Sequence, residues 1–267
     1  MGYLDHEEER NEGGNMEKVN NLDVYVNRME KSLLDKLFFV DKVFEPIDTI
    51  LDFGCANGVL IKMMQMLFPE YSYVGYDISE DMINRARQTL SGPRFFTDWD
   101  AIDCLPEKTL INISSTLHEV YHYGTSESIE QFWDRVFQSG FKYIAIRDMM
   151  LSDSIKLMSD EQDVVKARGL YPSKLADYER IWGPISIRFN LIHYLLKYRY
   201  TENWDREVRE NYLPLTKETL LAKIPSHYEI VYQEHYTLPY IKHQVQRDCG
   251  IVLNDCTHFK ILLKSTK

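Results

Sequence analysis

The fold is decided by one stretch of the chain, Ile50-Leu51-Asp52-Phe53-Gly54-Cys55-Ala56-Asn57-Gly58. Together with Ile47, its apolar residues predict a strand that is covered on both faces, as the strands of parallel sheets are. The two glycines predict a tight loop, because glycine adopts backbone conformations closed to other residues and lets a ligand approach the main chain. The apolar run 59–67 predicts a buried helix that starts at this loop and ends before Pro69.

A second strand and an acidic residue follow this helix. Residues 73–78 predict a buried strand that ends at Asp77, and Ser79 is placed to cap the next helix. A doubly wound α/β sheet binds a nucleoside through this order of strand, glycine loop, helix, strand and acid, with the carboxylate on the ribose hydroxyls. The glycine spacing differs from the G-x-G-x-x-G of nicotinamide and flavin sites, so that class of cofactor is disfavoured.

The spacing instead matches D-x-G-x-x-x-G, from Asp52 to Gly58. With Asp77 one strand later, it resembles motif I and the acidic residue that follows it in class I S-adenosylmethionine-dependent methyltransferases. The resemblance implies a doubly wound α/β fold, with a seven-stranded, mostly parallel sheet and an antiparallel last strand. It implies S-adenosylmethionine as the cofactor, bound by Asp52, Gly54, Cys55, Asn57, Gly58, Asp77, Ile78, Met82, Asp98, Trp99 and Ser114.

The acidic residues have distinct expected roles under this resemblance. Asp52 would lie near the methionine ammonium, Asp77 would bind the ribose, and Asp98 would meet the adenine amino group. Trp99 would cover the adenine ring. The alternative for each acid is a cap on a helix or turn.

The candidate catalytic residues follow the apolar strand predicted over residues 109–115. They are His118, Glu119, Tyr121 and His122. Open α/β sheets place their chemistry at the carboxyl ends of their strands, and the resemblance implies that this segment faces both the methyl donor and the acceptor. One of the two histidines would remove a proton from the acceptor, with Glu119 as its orienter. A histidine that is only hydrogen-bonded at the cleft edge is the alternative.

Residues 118–122 also spell H-E-x-x-H, a motif in which two histidines bind zinc and the glutamate activates water. The metzincin continuation needs glycine and histidine where this chain has Thr125 and Ser128. We therefore predict no metal. A metal held by His118, Glu119 and His122 inside a methyltransferase is left as an alternative.

Composition restricts the partners. The chain has 267 residues, a formal net charge of -10 and a pI near 5.3, so it has no overall basic field for nucleic acid, although a local basic face would suffice. No apolar run approaches a membrane span and no signal peptide is recognised, which predicts a cytoplasmic protein without a membrane partner. The four cysteines lack metal spacing and are expected to be free thiols. The oligomeric state is left open.

The chain divides into four predicted segments. Residues 1–16 form a disordered tail, and 17–150 form the first part of the cofactor-binding core, led by a helix with an apolar stripe from Val26 to Phe44. Residues 151–215 form a helical insertion that serves as a lid over the cleft. Residues 216–267 supply the last two strands, joined without a helix.

These features predict methyl transfer to an oxygen or nitrogen of a small polar or natural-product-like acceptor. The insertion mixes basic and aromatic residues, which keeps a nucleic-acid acceptor as the alternative, unless its charges form ion pairs on a solvated face. A non-catalytic cofactor-binding subunit and an H-E-x-x-H zinc hydrolase are further alternatives.

Overall fold

The computed structural model describes residues 32–267. The predicted tail lies outside these residues, as does the first part of the predicted leading helix. In the described part of that helix, Leu33–Lys36 forms a short helix and Val40–Lys42 a single 3₁₀ turn. Phe44 is 81% exposed, whereas Phe38 and Phe39, which lie off the predicted stripe, are buried. A continuous helix up to Phe44 is therefore wrong, because the chain buries consecutive aromatic residues rather than one stripe.

Seven strands form one sheet in the order β3-β2-β1-β4-β5-β7-β6. Strands β1 to β5 pair in parallel, and β7 runs antiparallel to both β5 and β6. The predicted fold class is confirmed. The strands are β1 (Thr49–Phe53), β2 (Ser72–Tyr76), β3 (Arg94–Phe96), β4 (Thr109–Ser114), β5 (Tyr143–Met149), β6 (Tyr228–Tyr236) and β7 (His258–Ser265).

Helices connect the strands and cover the sheet. Ser79 caps its helix as predicted, since its hydroxyl accepts a hydrogen bond from the backbone N–H of Met82 at 3.4 Å. The helices are α1 (Leu33–Lys36), α2 (Val59–Leu67), α3 (Glu80–Thr89), α4 (Leu117–Tyr123), α5 (Ser126–Gln138), α6 (Glu161–Arg168), α7 (Pro172–Trp182), α8 (Arg188–Lys197), α9 (Trp204–Glu207), α10 (Lys217–Lys223) and α11 (Pro239–Cys249). Between residues 32 and 267, no helix is long and apolar enough to cross a bilayer.

Both faces of the sheet are buried. Neighbouring residues of a strand point to opposite faces, and accordingly Ile50 and Leu110 belong to one apolar cluster while Leu51 and Ile111 belong to another. A parallel sheet covered on both sides explains why these strands are continuous apolar runs rather than alternating ones.

A third apolar cluster lies in the segment 151–215. Helices α6 to α9 occur here and no strand does, within the described residues. Nine of the ten residues of α8 are buried, so this helix forms the centre of the cluster. The apolar pattern of the sequence predicts helices over 187–200 and 204–212, and both are present but shorter, at Arg188–Lys197 and Trp204–Glu207. The function of the segment as a lid remains a prediction.

The connection between β6 and β7 contains α11, so the expectation that these strands are joined without a helix is wrong. Pro239 occupies the first turn of α11, and Gly250 ends it in a left-handed conformation with φ of 69°. Ile241, Val245 and Cys249 recur every four residues and pack against the third cluster. This helical spacing was present in the sequence.

Candidate active site

A cavity of about 570 Å³ lies at the carboxyl ends of the parallel strands, within the size range of small-molecule sites. One part is lined by residues that follow β1 to β3, among them Gly54, Asp77 and Trp99. The other part is lined by residues that follow β4 and β5 and by residues of the segment 151–215, including Arg206 and Tyr212. The carboxyl edge of the sheet and the helical segment thus line one continuous space.

The glycine loop lies at this cavity, and hydrogen bonds to the end of β2 hold its turn in place. The backbone N–H groups of Gly54 and Cys55 both donate to the carbonyl oxygen of Tyr76, at 2.8 and 2.9 Å. Gly54 and Gly58 have φ of 75° and 77°, and Ala56 has φ of 46°. The loop therefore needs left-handed conformations that glycine adopts without strain.

Gly54→Ala is expected to lower the free energy of unfolding, since its Cβ would overlap the side chain of Thr116. The backbone strain alone costs about 1–3 kcal/mol. Gly140→Ala is the matched control, because Gly140 has φ of 80° but no atom within 4 Å of an added Cβ. In urea denaturation we expect Gly54→Ala to lose clearly more stability than Gly140→Ala. Equal losses would show that Thr116 moves aside without cost.

Asp77 is held at the cavity wall by two backbone N–H groups. One carboxylate oxygen accepts from Ala56 and the other from Ser79, each at 2.9 Å. Each oxygen keeps a further lone-pair site, so two hydroxyl donors can still be accommodated. Burial raises the pKa of Asp77, and these N–H groups lower it in part. A carboxylate that can still accept two hydrogen bonds fits the two hydroxyl groups of a ribose.

Several other predicted cofactor residues lie on the same wall. Ile78, Met82, Trp99 and Ser114 all line the cavity. The Trp99 ring packs edge-on against Phe53 at 5.1 Å between ring centroids, which gives the wall an apolar, aromatic surface. These side chains can cover the faces of an adenine ring.

The remaining predicted cofactor residues, Asp52, Cys55, Asn57, Gly58 and Asp98, do not line the cavity. Asp52 is buried beneath the loop, where it accepts a hydrogen bond from Asn112 at 2.7 Å, and burial raises its pKa to about 6. The side chain of Asp98 caps a 3₁₀ turn by accepting from the backbone N–H of Asp100 at 3.0 Å. Their cofactor roles remain predictions.

Three residues of the glycine loop contact the rest of the protein instead of lining the cavity. They are Cys55, Asn57 and Gly58. Cys55 is buried, and its sulfur faces the backbone of Gly75 in β2. Gly58 packs against Ala86, Leu90 and Phe95, so a side chain here would meet the core. The side-chain oxygen of Asn57 is buried without a hydrogen-bond partner in the described part of the chain.

His118 lies in the second part of the cavity and is bound on both ring nitrogens. Nδ1 lies 2.9 Å from Asp148 Oδ1, and Nε2 lies 3.4 Å from Glu210 Oε1. Burial would lower the pKa of His118, but Asp148, and to a lesser degree Glu210, raise it to about 9. Asp148, which is 1% exposed, therefore orients the His118 ring, the role that the sequence analysis gave to Glu119.

Glu119 lies beside His118 and faces the helical segment. Arg206 donates from Nη2 to Glu119 at 3.2 Å and lies 3.4 Å from Glu210. Burial raises the pKa of Glu119, and the nearby negative charge of Glu210 adds to this, while His118 and Arg206 oppose it. The result is a carboxyl group in the cavity that gives up its proton less readily than an ordinary glutamate.

Tyr121 and His122, the other predicted catalytic residues, do not line the cavity. The Tyr121 hydroxyl accepts a hydrogen bond from Trp133 at 2.8 Å, and His122 packs against the Tyr123 ring. Burial lowers the pKa of His122. Their catalytic roles remain predictions.

The H-E-x-x-H motif does not bring its two histidines into one group of ligands. Within residues 32–267, ligand atoms of His118, Glu119 and Glu210 lie within 4.8 Å of one another, and His122 is not among them. Arg206 already lies against both glutamates. A protein guanidinium thus supplies the positive charge that these carboxylates need.

The structure adds site residues that the motifs did not reveal. Lys36 and Arg147 line the cavity, and burial, assisted by the charge of Arg147, lowers the pKa of Lys36 to about 8. Arg206, Glu210 and Tyr212 reach the cavity from the helical segment. Arg147 and Asp148 are adjacent charged residues near the end of an apolar strand, β5, whereas no local sequence pattern marks the other residues.

Comparisons with known proteins agree with this fold. Residues 51–139 match a family model described as a methyltransferase domain. A search of curated proteins gives no match in sequence. Among solved structures, the plantazolicin methyltransferase BpumL, in complex with a pentazolic desmethylPZN analog and SAH, superposes with a TM-score of 0.53 at 12% identity, over 92% of this chain and 90% of that chain.

A second similar structure is the plantazolicin methyltransferase BamL, in complex with a triazolic desmethylPZN analog and SAH. Its TM-score is 0.51 at 11% identity, over 92% of this chain and 90% of that chain. At these identities the likeness shows the fold. The family match covers the glycine loop, Asp77 and the candidate catalytic segment, so this part of the chain is similar to a methyltransferase domain, and the seven-stranded sheet has the strand order of the class I methyltransferase fold.

Proposed function

We propose that this protein transfers the methyl group of S-adenosylmethionine to an oxygen or nitrogen of a small polar acceptor. The observation that carries the proposal is the continuous cavity, which runs from Asp77 and Trp99 to His118 and Glu119 and is also lined by residues of the segment 151–215. Such a space holds a nucleoside at one end and leaves the other end for a compact molecule.

The cofactor half is assigned from its chemistry. Asp77 binds the two ribose hydroxyls, and Trp99, Ile78 and Met82 cover the adenine. Lys36, a buried cation on the cavity wall, holds the methionine carboxylate. When bound, S-adenosylmethionine supplies an electrophilic methyl group, so the protein has only to position the acceptor in line and to take its proton where required.

The acceptor half provides a proton acceptor beside a fixed cation. His118 is held by Asp148 and Glu210, and its raised pKa keeps it protonated near neutral pH. Glu119 has a raised pKa and lies next to it. A base is most effective when its pKa lies near the working pH. We therefore assign the base to Glu119 and give His118 the role of orienting the acceptor.

The charges of the helical segment favour a small molecule over nucleic acid. A phosphate backbone needs cations that are available to it, but many of the segment's arginines already pair with carboxylates. Those are Arg168 with Glu179, Arg180 with Asp177, Arg188 with Asp163 and Asp255, Arg199 with Asp248, and Arg206 with Glu119 and Glu210. BpumL shares only 12% identity, so the acceptor proposal rests on this cavity and its charges.

The proposal is tested with S-adenosylmethionine labelled in its methyl group. The protein is incubated with the label and, separately, with the small-molecule filtrate of a cell extract, with total RNA and with DNA. We expect label in the small-molecule fraction. Label in nucleic acid, with none in the filtrate, would replace the proposal by the nucleic-acid alternative.

Glu119→Gln is expected to lower the rate of that transfer by roughly 100-fold or more, as loss of a general base does. Affinity for S-adenosylhomocysteine should stay the same, because Glu119 is assigned to the acceptor half. Glu130→Gln is the control, since Glu130 is exposed on α5 away from the cavity. A Glu119→Gln enzyme with normal turnover would remove Glu119 from the role of base.

A further inference from the structure

The strand order places Arg147 away from the cofactor half of the cavity. Arg147 lies on β5, which is separated from β1 and its glycine loop by β4. Adjacent strands are about 4.8 Å apart, so Arg147 lies roughly 10 Å along the sheet from the loop. Ser114 and Thr116 of the intervening strand end line the cavity between them. Arg147 therefore faces the part of the cavity assigned to the acceptor.

Arg147 is buried, with 2% exposure, yet its guanidinium is not fully bonded. Nε donates to Asp35 at 2.8 Å and to the Tyr236 hydroxyl at 3.2 Å, and Nη1 donates to Ser115 at 2.7 Å. Nη2 has no hydrogen-bond partner in the described part of the chain. A buried charged donor without an acceptor destabilises the fold, so the molecule retains this group at a cost in stability.

The carboxylates around Arg147 are committed to other groups. Asp35 also lies 3.3 Å from Lys260 and accepts from Tyr236. Asp148, the other nearby carboxylate, holds His118. An anion from outside the chain would supply the acceptor that the Nη2 amino group of this guanidinium lacks.

We propose that the acceptor carries a carboxylate, bound by Nη2 of Arg147, which turns the nucleophile of the same molecule toward Glu119 and the methyl donor. This inference rests on the proposed methyl-transfer function. A carboxylate fits the unpaired NH2 group of Nη2, whereas a phosphate, with more charge and more acceptor oxygens, calls for more donors than this group offers.

The test uses benzoate as the probe and benzamide as its neutral counterpart, each titrated calorimetrically into the protein saturated with S-adenosylhomocysteine. Benzoate should bind saturably and benzamide should not. Arg147→Lys keeps a cation beside Asp35 but removes the forked N–H pair, and should weaken benzoate binding by about tenfold. Arg188→Lys is the matched control, because Arg188 is also buried between carboxylates, Asp163 and Asp255, but lies outside the cavity.

Three results would overturn the inference. They are equal binding of benzoate and benzamide, tighter binding of inorganic phosphate than of benzoate, and an Arg147→Lys protein that loses affinity for S-adenosylhomocysteine itself. The last result would assign Nη2 to the cofactor. Failure of the wild-type protein to bind S-adenosylhomocysteine is a separate outcome, and it would refute the proposed function together with the inference built on it.

Discussion

Asp77→Ala is expected to reduce the affinity for S-adenosylmethionine by about 100-fold or more, because the cofactor loses two hydrogen bonds to a charged acceptor, each worth about 1.5–3 kcal/mol. Isothermal titration calorimetry with S-adenosylhomocysteine measures this loss directly. Asp77 lines the cavity, and its two oxygens face different backbone donors. The carboxylate is therefore held where a ribose can reach it.

Asp98→Ala is the matched control for this measurement. Asp98 was predicted beside the adenine, but it caps a 3₁₀ turn outside the cavity lining. We expect its affinity for S-adenosylhomocysteine to stay within about threefold of the wild type, a difference below 1 kcal/mol. Because Asp77 also holds the loop at Ala56, circular dichroism and a thermal melt must show that the variant is folded. A folded Asp77→Ala protein with unchanged affinity would refute the role of this residue.

His118→Gln is expected to lower the free energy of unfolding by an amount that depends on pH and reaches about 3 kcal/mol. This amount corresponds to the rise of the His118 pKa from 6.5 to about 9. A raised pKa stabilises the fold in the protonated form. The contribution is therefore complete below pH 6.5 and is lost as the pH rises through 9. The source is the contact with Asp148, whose own pKa is lowered by His118 against the effect of burial.

The measurement is the free energy of unfolding in urea at pH 6, 7, 8, 9 and 10. The difference between wild type and His118→Gln should be largest at pH 6 and should shrink steadily toward pH 10. His227→Gln is the control, because His227 contacts the carbonyl oxygen of Phe137 and not a carboxylate. A His118→Gln difference that stays constant across this range would mean that the ring is neutral in the folded protein.

The elements that the sequence predicted best are those defined by neighbours along the chain. The strand, glycine loop and helix around Gly54 were located because left-handed turns and apolar runs are local properties. Ser79 was predicted as a helix cap for the same reason. Two predictions failed. The helical spacing of apolar residues was extended too far in the leading helix, up to Phe44, and the same spacing was overlooked in α11.

Sequence motifs identified some residues of the candidate site but not the residues that contact them. His118 and Glu119 line the cavity and their catalytic roles remain predictions, but the carboxylate next to Nδ1 of His118 is Asp148, which is 30 residues away in the sequence. The match to H-E-x-x-H suggested that His118 and His122 act together, and the fold instead brings Glu210 to His118. A spacing of four residues sets positions on a helix, but it does not set which neighbouring segment packs against them.

The sheet, the glycine loop and the position of Asp77 could be predicted from the amino-acid sequence, because they depend on backbone conformation and on contacts between consecutive elements. The acceptor half of the cavity depends instead on how distant segments pack. Arg206 lies 87 residues from Glu119 in the chain, and the unpaired Nη2 of Arg147 depends on three separate segments that supply Asp35, Ser115 and Tyr236. Such groups meet only after distant apolar surfaces have packed, so their charges leave no local pattern.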